Sequence, residues 1–134
     1  MKDLHNHITV LPAITPQAVG TSGIAGGKLS GILDRKGHES AEFIFSYGAT
    51  ATVADKIVPV IYEANATGDS FTSVADADLL GSEAQVTITA AGASKVGYRG
   101  NKRYLKIRLY GIGHATGIVS ANLVLGHPAL SPTA

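Results

Sequence analysis

The chain has 134 residues, of which 45% are hydrophobic and only 16% charged, with a formal net charge of +1. That length holds one domain with a sizeable core, the hydrophobic content excludes a disordered chain, and the absence of cysteine excludes disulfides, thiolate metal sites and cysteine nucleophiles. Met1–His7 lacks the apolar stretch of a secretory signal, and no apolar run approaches the ~18 residues of a membrane-spanning helix, so a protein made and kept soluble in a cytoplasm, with no membrane contact, is expected.

Residues 1–27 are punctuated by Pro12, Pro16, Gly20, Gly23, Gly26 and Gly27. Ile8, Val10 and Ile14 suit a short strand, which Pro12 confines to a sheet edge or an extended arm because proline lacks a ladder donor. Gly20–Gly27 reads as a flexible loop. Leu29–Leu33 reads as a short strand closed by a turn at Asp34-Arg35-Lys36-Gly37. From Glu39 to Tyr47, Ala41, Phe43, Phe45 and Tyr47 alternate with Glu42, Ile44 and Ser46, the period of a strand with one dry face. Lys56–Ala64 is β-branched, and Pro59 marks it as an edge or a bulge. Phe71–Ala75 reads as a brief strand, Ala75–Gly81 as a helical turn stopped by Gly81, and Gln85–Ala90 as another strand.

The clearest pattern lies between Lys95 and Tyr110. Leu105, Ile107 and Leu109 alternate with Tyr104, Lys106, Arg108 and Tyr110, and Gly100-Asn101 ahead of them is a favoured two-residue turn. A hairpin over Val96–Tyr110, with a basic and aromatic outer face, is therefore expected. After a turn at Gly111–Gly117, Ile118–Leu125 places Val119, Ala121, Leu123 and Leu125 on one face, and Gly126-His127-Pro128 ends the fold.

About eight short strands, with a turn signal roughly every ten residues, predict an all-β single domain: an antiparallel β-sandwich or barrel with jelly-roll or Greek-key connections. The predicted divisions are an N-terminal arm and flexible loop at 1–27, packed on the body or on a neighbouring subunit, a sandwich body at 28–128 and a tail at 129–134. Strand order is left open.

Charge is distributed unevenly. The first 83 residues carry ten acids against five bases, and the remainder carries six bases and no acid. Such asymmetry fits nucleic-acid contact or head-to-tail electrostatic fit between copies. It also fits adjacent acidic and basic strands that neutralise each other. A sequence pI near 8.0 is low for a nucleic-acid-binding domain, so a protein partner is favoured and nucleic acid is not expected. The basic stretch supplies the candidate partner contacts: Arg99, Lys102, Arg103, Lys106 and Arg108.

No catalytic or cofactor chemistry assembles from the sequence. His5-x-His7 lacks the further ligands a metal site needs. His38, His114 and His127 are isolated from acids that would support proton transfer. Gly26-Gly27-Lys28 departs from a phosphate loop, because Ser22 stands where that pattern needs Gly and Leu29 where it needs Ser or Thr. Asp76 and Asp78 lack the rest of a calcium loop. No catalytic residue, metal or cofactor is assigned, and the chain is not expected to be an enzyme.

The segment Tyr98-Arg99-Gly100-Asn101-Lys102-Arg103-Tyr104-Leu105-Lys106-Ile107, together with Ala121-Asn122-Leu123-Val124-Leu125-Gly126-His127-Pro128, resembles a family of small structural proteins encoded in the head-gene module of tailed bacteriophages. Asp3–Ile8 and Phe71–Gly81 share the likeness, which covers most of the chain. The resemblance implies a virion structural protein. Its first reading is a capsid decoration, or cement, protein on the capsid surface, made in a bacterial host's cytoplasm. Such a protein binds the assembled major capsid protein shell, as a trimer or similar homo-oligomer. Two other readings stay open: a head-completion or tail protein forming a ring at the portal vertex, and a nucleic-acid-binding β-domain using the Tyr-bearing basic face.

Overall fold

The computed structural model describes residues 3–19, 27–48, 56–81, 92–112 and 117–129. Among these residues ten strands occur in chain order: β1 (Ile8–Val19), β2 (Lys28–Leu29), β3 (Leu33–Asp34), β4 (His38–Tyr47), β5 (Lys56–Ala64), β6 (Thr72–Ser73), β7 (Leu79–Leu80), β8 (Gly92–Tyr98), β9 (Tyr104–Ile112) and β10 (Gly117–Pro128). Two 3-10 turns, His5–His7 and Asp76–Asp78, complete the described elements. The second falls within Ala75–Gly81, where a helical turn was expected, but it ends at Leu79, whose extended backbone opens β7; Gly81, at φ +96°, follows β7 rather than the turn.

The strands form two antiparallel sheets. Sheet A runs β1-β10-β4-β8-β7, and sheet B runs β2-β9-β5-β6 with β3 also against β9. With β2 and β3 taken as one interrupted strand and the two-residue β7 set aside, eight strands remain. The first pairs the eighth, the second the seventh, the third the sixth and the fourth the fifth. This is one long hairpin rolled over on itself, the jelly-roll arrangement. The fold is thus the expected all-β sandwich, and its sheets do not close into a barrel.

Alternation on the long strands builds the core. Phe43 and Phe45 of β4, Leu123 and Leu125 of β10, Ile57 and Ile61 of β5, and Leu105, Ile107 and Leu109 of β9 are all buried between the sheets. Two-faced strands with one dry side explain why these alternations could be read directly. Pro59 lies in β5 opposite Leu109, and β6 covers β5 only at Tyr62 and Glu63. The other side of β5 at Pro59 is therefore unpaired among the described residues, as its missing donor requires.

The expected hairpin over Val96–Tyr110 is corrected. β8 belongs to sheet A, where it pairs β4 and β7, and β9 belongs to sheet B. The residues between them, Arg99–Arg103, cross from one sheet to the other. A type I′ turn needs positive φ at both central positions, and neither Gly100 nor Asn101 has it.

The expected arm at 1–27 contains β1, a twelve-residue edge strand of sheet A paired along β10. Ile14 and Val19 enter the core, and the register shifts twice, between Pro12 and Ile14 and between Ile14 and Gln17. The predicted strand Leu29–Leu33 is split into β2 and β3 at Ser30. There the buried Ser30 hydroxyl accepts the Ile107 N–H at 2.9 Å, and the Ser30 N–H donates to the Ile107 carbonyl at 2.8 Å. The loop at 20–26, the strand at 85–90, His114 and residues 130–134 of the tail lie outside the described residues.

Candidate interaction surface

The five candidate contact residues fall along one stripe that starts at the Arg99–Arg103 crossing and continues down the outer face of β9. Two scaffolds hold it. One is the buried inner face of β9, which turns Tyr104, Lys106, Arg108 and Tyr110 outward. The other is a side-chain clamp at the crossing.

The clamp centres on Tyr98 and Arg35. Tyr98 is buried; its hydroxyl donates to the Glu63 carboxylate and accepts the Lys102 N–H at 3.0 Å. Burial, then the Glu63 contact, pushes the phenol well above its ordinary pKa, so Tyr98 stays a neutral donor. The Arg35 guanidinium donates to the carbonyls of Lys102, Gly100 (3.2 Å) and His38 (3.4 Å). It stands 5.4 Å from the Tyr98 ring centroid, in reach of a cation–π contact. Gly100 lies against this ring so closely that an added Cβ would fall 2.4 Å from the Tyr98 hydroxyl oxygen. The Arg99 N–H donates to the Asp78 carbonyl at 2.8 Å, tying the crossing to the 3-10 turn.

The stripe residues differ in what they already hold. Arg103 makes a two-pronged ion pair with Asp34, Nε to Oδ1 at 2.9 Å and Nη2 to Oδ2 at 2.8 Å. Its guanidinium also stands 4.8 Å from the Tyr104 ring centroid. The Arg103 hydrogen bond holds the Asp34 carboxyl below the usual carboxylate range, so Arg103 is largely neutralised within its own fold. Arg99 is exposed and Lys102 half-buried. Lys106 Nζ stands 4.4 Å from the Phe71 ring centroid. Lys106 and Arg108 border a shallow cleft with Leu29, Tyr62 and Phe71.

A second concavity, lined by Arg35, Lys36, Gly37, His38, Asn101 and Arg103, sits beside the crossing. Lys36 and Arg35 were read only as turn residues. The sequence carries no local signal for their role, because the partners of Arg35 lie some 65 residues away. Taken together, cleft and concavity present cations and aromatic rings side by side, and guanidinium and ammonium groups of this kind can form charge-assisted hydrogen bonds to carboxylates. Three histidines are held by neighbours in the fold: His7 Nδ1–H donates to the Asp3 carbonyl at 2.6 Å, His38 Nε2 meets Thr9 Oγ1 at 3.1 Å, and His127 Nδ1 meets Ser40 Oγ.

No protein-family model matches the chain, and no curated protein sequence matches it. Solved structures do. The VP2 subviral particle of infectious bursal disease virus aligns over 91% of this chain and 33% of its own, with 10% identity and a TM-score of 0.53. The shared feature is the fold. The structure of the Gx strain of the same virus aligns over 92% of this chain and 34% of its own, with 14% identity and a TM-score of 0.46. The xylanase 10B CBM22-1–GH10 structure from Clostridium thermocellum aligns over 97% of this chain and 28% of its own, with 8% identity and a TM-score of 0.46. The chain spans about a third of the viral chains it matches.

Proposed function

We propose that this chain is a virion structural protein of the decoration type, binding the assembled major capsid protein shell on its outer surface as a small homo-oligomer. The observation that carries the reading is the stripe from Arg99 to Arg108. It sets basic and aromatic side chains outward from a strand whose other face is locked in the core. An acidic capsid surface is its natural complement. Supporting it are the resemblance to phage head-module proteins and a jelly roll shared with a protein that stands in a viral particle. Binding only the assembled shell stabilises it by mass action.

The test is co-sedimentation with capsids that lack the protein. Lys106→Glu together with Arg108→Glu is expected to weaken capsid binding at least tenfold, a loss of about 1.4 kcal/mol, while thermal melting of the isolated protein stays close to wild type. Unchanged binding by that variant overturns the stripe as the contact. Copy number in purified virions checks the location. A simple ratio to the major capsid protein fits decoration, and about a dozen copies moves the protein to a ring at the portal vertex.

A further inference from the structure

The outer face of sheet A has a different character from the basic stripe. Its side chains come from alternate positions of β1, β10, β4, β8 and β7. Val10 of β1 lies opposite Val124 of β10, and Ile44 of β4 lies opposite Lys95 of β8. Leu80 of β7 lies opposite Gly97, at the far end of the sheet from β1. Exposure reaches 53% at Val10, 37% at Ile44, 53% at Leu80 and 62% at Ile118. Most of the large apolar side chains that the described fold leaves in water are therefore gathered on one side. Among the described residues of these strands, the face carries one acid and one base, Glu42 and Lys95. The Glu42 carboxylate lies across Gly97, where an added Cβ would come within 2.6 Å of its Oε2.

We propose that this face is a two-fold interface with a second copy of the chain. The inference goes beyond the capsid reading and does not depend on it. Charge supplies the first argument. A two-fold axis in the plane of contact, passing midway between Glu42 and Lys95, lays Glu42 of each copy over Lys95 of the other, so the patch complements itself. The β9 face cannot pair this way, because Lys106 and Arg108 would meet their own like charges. Area supplies the second. Four long strands spaced about 4.8 Å apart and about ten residues long give a footprint of roughly 650 Å². That is near the roughly 800 Å² per partner of a standard interface. Edge structure supplies the third. Pro12, Pro16 and two register shifts in β1 oppose growth of the sheet sideways, which leaves face-to-face packing as the way to cover the apolar side.

The test is the solution mass of the full chain by light scattering and sedimentation, over a roughly hundredfold range of concentration, since dimers dissociate on dilution. The expected result is twice the 13.7 kDa protomer mass. Ile44→Asp, and separately Ile118→Lys at an exposed site the core does not use, are expected to give monomers with unchanged circular dichroism. Glu42→Lys is expected to weaken the dimer at least tenfold, and Glu42→Lys with Lys95→Glu to restore it. Lys106→Glu with Arg108→Glu is expected to remain dimeric even where it abolishes capsid binding. A wild type that stays monomeric at every concentration overturns the proposal. So does a trimer, or a folded Ile118→Lys variant that stays dimeric.

Discussion

Individual side chains hold the crossing between the sheets. Gly100 packs on the Tyr98 ring, and a methyl group there would overlap a ring fixed by its contacts to Glu63 and Lys102. Gly100→Ala is expected to destabilise the protein by about 1–3 kcal/mol, the range for overpacking, read as a lower urea midpoint with unchanged slope. The Asp34–Arg103 pair gives a pH-dependent prediction. Asp34 has its pKa lowered from 3.8 by the Arg103 hydrogen bond. The charged form is thus the one the fold favours, and the pair's contribution is present above pH 3.8 and lost as pH falls through the lower folded value. The stability gap between wild type and Asp34→Asn should therefore be open at neutral pH and close below about pH 4, in urea titrations at a series of pH values. None of this was legible locally. Gly100-Asn101 has the composition of a hairpin turn, and Arg35 that of an ordinary turn residue; only their partners, far along the chain, decide otherwise.

Strands were legible wherever one face is dry and the other wet. β4, β9 and β10 have the alternation that Phe43, Ile107 and Leu123 require, and Pro12 and Pro59 each mark a strand side without a pairing partner among the described residues. Splitting of the strand after Leu29 was not legible, because a Ser hydroxyl inserts itself into the ladder at Ile107, and Ser30 has no strand or turn preference strong enough to announce it. β1 resolves an open expectation: a stretch with two prolines reads as a short edge strand or an extended arm, and it forms a twelve-residue strand that closes one edge of sheet A. Ile14, buried to 3% exposure on that strand, tests the point. Ile14→Ala is expected to cost about 2–5 kcal/mol if β1 is an integral strand. A loss below about 0.5 kcal/mol, the range of surface changes, would make it a loosely attached arm.

At the scale of the whole molecule, the strand order follows from geometry that no single segment carries. Each alternation says that a strand has one inner face, and none says which sheet it joins. The rolled hairpin pairs β1 with β10 and β2 with β9, bringing the described chain's two ends side by side. Closing such long loops before any contact compensates their entropy makes folding slow. Stopped-flow refolding is expected to show a main phase in the range of milliseconds to seconds. Microsecond refolding would mean that local structure, not long-range pairing, limits the rate. The fold class could be read from the sequence because it depends on periodicity. The candidate surfaces were legible only in part: the stripe was visible as a run of basic residues, whereas the outer face of sheet A is assembled from five separate segments.

The alternation on β9 also shapes how such a protein can change over generations. Leu105, Ile107 and Leu109 are buried in the core, while Tyr104, Lys106, Arg108 and Tyr110 face outward along the proposed contact stripe. Neighbouring codons thus lie under different constraint: an inward change opens the core, whereas an outward one alters surface contacts such as Lys106 over the Phe71 ring. Descendants that meet a new surface would therefore be expected to differ at every second residue of this strand.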